Sequence, residues 1–166
     1  MTTRAIDAAD WGAIARVIGE RHGRTGEAFG LDDADRTRVF GVFHGDQRTA
    51  FGIFRDYRDP RLHLGNTLDL GRVEDLLGRE DIAWFTVALI QKEAAGISEA
   101  EAARALIGFA EDEFRSAFAR TVLLISLMDR ANELAVPLYR ELGFRPADGA
   151  SDRKSTRLNS SHVSQS

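Results

Sequence analysis

A strand, a helix and a tight turn follow one another between Thr121 and Phe144, and this succession constrains the fold more than any other part of the chain. The run from Thr121 to Leu127 is almost continuously aliphatic, which is typical of a strand buried on both faces. A helix is predicted to begin at Asp129, and Gly143 stands where a left-handed residue ends a helix. One apolar face of this helix is formed at spacings of three and four by Ala131, Leu134, Ala135, Leu138 and Leu142.

Composition limits the classes of function. A chain of 166 residues fits one domain with a real core, and the absence of cysteine excludes disulfides, thiol nucleophiles and thiolate metal sites. Three of the 22 basic and one of the 26 acidic residues lie after residue 151, so the net charge of residues 1–151 is −6. This negative charge argues against nucleic acid as a partner. His22 and His63 are too isolated to indicate a metal site. No segment is long enough to span a membrane, and we expect a cytoplasmic protein.

The rest of the chain predicts alternating strands and helices. A capping box formed by Ser98 and Glu101 starts a long helix that is predicted to run to about Phe118. Before it, the pattern predicts a strand over Thr3–Ile6, a helix capped by Asp7 and ended by Gly23, and an irregular loop from Arg24 to Asp35. It also predicts a hairpin of Val39–Phe43 and Ala50–Tyr57, a strand within Arg61–Leu70, a short helix over Leu70–Leu77, a buried strand over Ile82–Ile90 and a loop over Gln91–Gly96.

Within the last helix, an Asn, an Ala three residues on, a Leu-Tyr pair and a Gly-Phe pair follow in order. This window resembles the C-terminal motif of the GNAT superfamily of N-acetyltransferases. The resemblance implies a mixed, mostly antiparallel α/β sheet flanked by helices, and acetyl-CoA as the co-substrate. It implies that Asn132 lies beside the pantetheine arm and that the Tyr139 hydroxyl protonates the departing thiolate. The alternative is that Asn132 only occupies a first helical turn and Tyr139 is a core aromatic.

The resemblance also implies that backbone groups hold the cofactor. Strand residues Val87 to Leu89 would pair with pantetheine, and amides before the long helix would bind the pyrophosphate, as helix N-termini do. Two alignments of the phosphate loop remain open. One places it at Gln91 to Gly96, and the other at Ser98, Glu101 and Ala103, where carboxylates would repel the anion. We take Gly96 and Ser98 as cofactor-binding residues. Lys92 and Arg104 are nearby cations that could compensate for the carboxylates or be only solvated surface charges.

The C-terminal segment, residues 152–166, resembles the in-frame translation of a sequencing adapter. It is polar apart from Leu158 and Val163, and we expect a non-native, disordered tail. Residues 1–151 would then be a GNAT-like domain whose last strand is missing, and the natural protein would be longer.

Two functions remain open. One is transfer of an acetyl group from acetyl-CoA to a primary amine by direct attack, with a small-molecule or peptide amine as acceptor. The other is a catalytically silent GNAT-like domain with a degenerate pyrophosphate loop that binds a ligand or a protein partner. No general base is identified among His44, Glu80, Asp81 and Asp129. The acidic residues between Glu27 and Asp35 could attract an amine or only be solvated, and the chain could form a homodimer.

Overall fold

The computed structural model describes residues 1–57, 82–118, 120–127, 136–146 and 158–163. The elements predicted between Arg61 and Leu77, Asn132 and the predicted helix start at Asp129 lie outside these ranges, as do Glu80, Asp81 and His63. The strands are β1 (Thr2–Ala5), β2 (Thr37–His44), β3 (Gln47–Tyr57), β4 (Ile82–Lys92), β5 (Arg120–Leu127), β6 (Arg145–Pro146) and β7 (Leu158–Val163). The helices are α1 (Trp11–His22), α2 (Glu99–Ala117) and α3 (Val136–Glu141), with short 3-10 turns at Ala8–Asp10 and Gly26–Phe29.

The chain forms two compact units, and both β4 and α2 contribute residues to each of them. The first unit contains Met1–Asp56 and Val87–Asp112, and the second contains Tyr57–Thr86 and Glu113–Ser166. In the first unit the strand order is β1-β2-β3-β4. β1 runs antiparallel to β2 from Thr2↔Phe43 to Ala5↔Phe40, and β2 runs antiparallel to β3 from Thr37↔Arg55 to His44↔Gln47.

Helices cover both faces of the first unit's sheet because the strands are apolar on both sides. On one face, α1 packs Trp11, Ile14 and Ile18 against Val39, Phe51 and Ile53 in a single core cluster. On the other face, the Phe40 ring packs edge-on against Phe109 of α2, with ring centroids 5.1 Å apart. The predicted α/β sheet flanked by helices is therefore confirmed.

The second unit contains the predicted strand–helix–turn succession. Parallel pairing of β4 with β5 runs from Ile82↔Arg120 to Thr86↔Leu124. Phe85 of β4 stacks on Phe114 of α2, with centroids 3.7 Å apart and planes 6° from parallel. Gly143 has φ +92° after α3, as predicted for a left-handed helix end.

One expectation about the C-terminus is wrong. Within the segment predicted to be disordered, Leu158–Val163 forms β7, which pairs with β5 from Val122↔Val163 to Leu127↔Leu158 and with β6 at Arg145↔Ser161. The place of the strand expected to be missing is therefore occupied. Backbone pairing needs only extended N–H and C=O groups, so a polar segment can still cover the edge of a buried strand. The non-native origin of residues 152–166 remains a prediction.

The other corrections are local. Asp7 precedes the 3-10 turn, but its side chain makes no capping hydrogen bond; its backbone oxygen accepts from Asp10 N instead. β4 continues to Lys92, two residues beyond the predicted strand end. The capping box is confirmed, and α2 ends at Ala117, one residue from the predicted end.

Candidate functional site

The connection from β4 to α2 is a six-residue segment, 93–98, that ends in the capping box. Glu101 accepts a hydrogen bond from Ser98 N at 2.8 Å, and Ser98 Oγ accepts one from Glu101 N at 3.1 Å. These two bonds occupy amides that would otherwise lack partners at the helix start. The Ser98 backbone bond, followed by the Ser98 hydroxyl and the Arg104 charge, holds the pKa of Glu101 below its ordinary value of 4.5. A carboxylate therefore already occupies the N-terminus of α2.

The middle of the same segment remains open. Ala95 and Gly96 are exposed and lie in a turn, and within the described part of the chain neither N–H donates a hydrogen bond. A side chain at Gly96 would meet nothing within 4 Å, so packing does not require a glycine there. Two adjacent unpaired amides beside a helix start can donate hydrogen bonds to an anion. Both alignments of the phosphate loop remain predictions, and these exposed amides belong to the one over Gln91 to Gly96.

The structure places Val87 and Leu89 in β4, just beyond its ladder with β5. That register ends at Thr86↔Leu124 among the described residues, so the next β4 residues have no β5 partner in it. Ala88 and Leu89 are consecutive, and both pack against the α1 core cluster. The backbone of Val87 and Leu89 therefore lies beyond the β4–β5 ladder, beside the core of the first unit.

Tyr139 is half-buried on α3 in the second unit. Its ring packs edge-on against the buried Phe144, with centroids 5.8 Å apart and planes at 75°. The Tyr139 backbone oxygen accepts a hydrogen bond from Phe144 N at 3.0 Å, which closes the turn after the helix. Phe144 therefore contacts both the ring and the backbone of Tyr139. Asn132, its predicted partner in the motif, lies outside the described residues.

Several solved structures with a similar fold are N-acetyltransferases. The Escherichia coli ribosomal-protein-S18-alanine N-acetyltransferase matches with a TM-score of 0.64 and 16% identity, over 98% of this chain and 92% of that one. The Arabidopsis thaliana protein NAA60, solved in complex with acetyl-CoA, matches with a TM-score of 0.63 and 13% identity, over 98% of each chain. A GNAT-family acetyltransferase from Streptococcus pneumoniae matches with a TM-score of 0.58 and 14% identity, over 98% of each chain. The chain has the GNAT fold. No protein-family model and no curated protein matches it.

Around the segment 93–98, the charges are mixed. Lys92 is half-buried at the end of β4, and Arg104 is exposed on α2 close enough to lower the pKa of Glu101. Glu99 and Glu101 both lie in the first turn of α2. Cations that would attract an anion and carboxylates that would repel it therefore lie at the same end of α2.

Neither the candidate bases nor the acidic loop gains support as catalytic groups. His44 is exposed at the tip of the β2–β3 hairpin, and the other three candidate bases lie outside the described residues. In the acidic loop, Asp33 forms a 4.0 Å ion pair with Arg36. No described helix has both the length and the apolar character needed to cross a bilayer.

Two contacts at the end of β4 had no signal in the sequence. The Arg48 guanidinium donates two hydrogen bonds to the Glu93 carboxylate, and His22 Nε2 lies 2.8 Å from Gln91 Oε1. The partners are 45 and 69 residues apart. No spacing rule for helices or hairpins brings such positions together, so only the tertiary fold reveals them.

Proposed function

We propose that the protein is an N-acetyltransferase that transfers an acetyl group from acetyl-CoA to a primary amine by direct attack. The observation that supports this best is a GNAT fold whose β4 leaves its β5 ladder after Thr86 and then turns through two exposed amides, at Ala95 and Gly96. When bound, acetyl-CoA would supply an activated acetyl group as a thioester. The acceptor would be a small-molecule or peptide amine.

This chain's own residues would have three tasks. Backbone groups of Val87 and Leu89 would align the pantetheine arm, with Asn132 beside it, and the segment of Gly96 and Ser98 would hold the pyrophosphate. As the neutral amine attacks the thioester carbon, negative charge passes to the sulfur. The Tyr139 hydroxyl would donate its proton to that sulfur and so stabilise the leaving thiolate. Before the attack, water would take a proton from the acceptor ammonium and so leave the neutral amine that attacks.

A second function is favoured by one observation. The Glu101 carboxylate already accepts the Ser98 N–H, so a pyrophosphate would have to displace it or bind beside it. A GNAT domain that had lost cofactor binding would tolerate such a capping box. This is the silent alternative, in which the fold serves only to bind a ligand or protein partner.

The test measures cofactor binding before activity. We expect acetyl-CoA to raise the unfolding temperature at micromolar concentration, because a ligand that binds only the folded state stabilises it. The absence of any shift up to millimolar acetyl-CoA would favour the silent alternative. Dephospho-CoA and free acetate serve as comparison ligands that separate nucleotide recognition from nonspecific anion effects.

Tyr139→Phe then tests the chemistry. We expect turnover to fall about 100-fold or more, with the dissociation constant for acetyl-CoA within about twofold of wild type, since only the proton donor is removed. The matched control is Tyr57→Phe, which removes the chain's other phenol. An unchanged rate in Tyr139→Phe would remove this residue from the mechanism.

A further inference from the structure

Glu93, the first residue after β4, is held by all three of its polar groups. Its backbone N–H donates to Thr49 O at 2.8 Å, and its backbone oxygen accepts from Arg21 Nη2 at 3.3 Å. Its carboxylate accepts two bonds from Arg48, from Nε at 2.5 Å and from Nη2 at 2.8 Å. The next amide, Ala94 N, also donates to Thr49 O, at 3.1 Å. Residues of α1 and β3 therefore converge on one position of the chain.

This contact is built differently from the ion pair Arg36–Asp33. The Arg48 and Glu93 side chains are only 18% and 15% exposed, whereas those of Arg36 and Asp33 are 45% and 36% exposed and 4.0 Å apart. A two-bond fork fixes direction as well as distance. Partial burial also reduces screening by water and salt, so the Arg48–Glu93 pair should hold its geometry better.

The partners of Glu93 are themselves fixed. The Arg48 guanidinium lies 5.5 Å from the ring centroid of Phe51, which is fully buried. Thr49 is buried, and its Oγ1 donates to Val42 O at 3.1 Å. The anchor is thereby connected to the core of the first unit's sheet.

The far end of the connection is fixed too. Ile97 is 3% exposed, and Ser98 is held by the capping box. Ala95 and Gly96 lie between these two fixed points, and neither of their amides donates a hydrogen bond within the described part of the chain. A segment this short has little freedom once both of its ends are held.

We infer that Glu93 is a positioning residue, which acts through Arg48 to hold the Ala95 and Gly96 amides in the orientation that receives the pyrophosphate. This inference rests on the proposed function. It predicts that acetyl-CoA affinity depends on an ion pair that does not itself contact the ligand. Without the pair, part of the binding energy would be spent on ordering the segment.

The experiment combines affinity with backbone order. Glu93→Ala and Arg48→Ala should each weaken acetyl-CoA binding about tenfold, and the double variant should be no weaker than either single one, because the two act as a unit. In the ligand-free protein, ¹⁵N order parameters of Ala95 and Gly96 should fall below about 0.6 in both variants. Asp33→Ala, which breaks the exposed pair, is the matched control and should change neither quantity.

The conservative variants keep the test decisive if an alanine variant fails to fold. Glu93→Gln retains one acceptor and should lie between wild type and Glu93→Ala, whereas Arg48→Lys keeps the charge but loses the fork. Unchanged affinity and unchanged order parameters, even with a lowered unfolding temperature, would show a purely structural pair and overturn the inference. If wild type binds no acetyl-CoA, the proposed function fails, and the ligand-free order parameters alone decide whether Glu93 positions the segment.

Discussion

The capping box at α2 leads to a quantitative prediction about cofactor affinity. Glu101→Gln removes a negative charge but keeps an oxygen that can accept from Ser98 N, since glutamine also serves at this capping position. The carboxylate lies 2.8 Å from that nitrogen. We assume a separation of about 5 Å, roughly two hydrogen-bond lengths, between this carboxylate and an anion bound beside it. The substitution therefore changes electrostatics and leaves the local geometry in place.

The size of the effect follows from Coulomb's law. For a fully exposed carboxylate the dielectric is close to that of water, and at physiological salt one charge at about 5 Å changes affinity about twofold. A pyrophosphate carries two charges near this point, so Glu101→Gln should tighten acetyl-CoA binding about fourfold. Glu101→Ala should tighten it further, because the Ser98 N–H also becomes available.

Titration calorimetry at low and high salt measures this change. Glu99→Gln is the matched control, because it removes a charge from the same helix turn without touching the capping bond. We expect Glu99→Gln to have the smaller effect and the gain from Glu101→Gln to shrink at 1 M salt. Equal or weaker binding by Glu101→Gln would show that the phosphates lie away from the α2 N-terminus, and the electrostatic reasoning would be wrong.

Three further predictions concern stability. The pKa of Glu101 is lowered in the folded state, so its ionised carboxylate contributes fully to stability above pH 4.5. This stability is lost as pH falls through the lowered, folded-state pKa. The unfolding temperatures of wild type and Glu101→Gln should therefore converge as pH falls through that value. Gly30→Ala should lower the free energy of unfolding in urea by about 2 kcal/mol or more, because φ is +86° and the added Cβ would clash with Arg55 Nε. Gly45→Ala, where φ is +60° and the space is open, should lower it by only about 1 kcal/mol. Deleting residues 152–166 should lower the unfolding temperature or cause aggregation by exposing the β5 edge; an unchanged, monomeric melt would show that β7 contributes nothing.

Elements with a strong local signal could be predicted from the sequence. The aliphatic run of β5 and the apolar runs of the β2–β3 hairpin each indicate a strand from adjacent residues alone. The Ser98–Glu101 box and Gly143 are equally local, since each depends on residues within one turn. These elements predicted alternating strands and helices, whereas the GNAT fold was predicted from the resemblance of the motif between Asn132 and Phe144.

The remaining features depend on distant partners. In the sequence, Glu93 looks like an ordinary loop carboxylate, because its partner Arg48 is brought close only by the fold of β3. The exposure of the Ala95 and Gly96 amides depends on where β4 ends. β7 was missed because a polar sequence carries no strand signal of its own; the unpaired edge of β5 supplies the reason to pair. Asp7 is the opposite case: its residue type favours a helix cap, but its side chain makes no capping hydrogen bond.

The division of the chain bears on how it can be dissected. The boundary between the compact units falls inside β4, between Thr86 and Val87, and inside α2, between Asp112 and Glu113. Neither half therefore corresponds to a continuous stretch of gene, and no break at a loop would release one half intact. Two separately expressed fragments should therefore fail to complement each other when the cut lies within β4. A circular permutant opened at the exposed Gly45–Asp46 turn leaves both β4 and α2 intact.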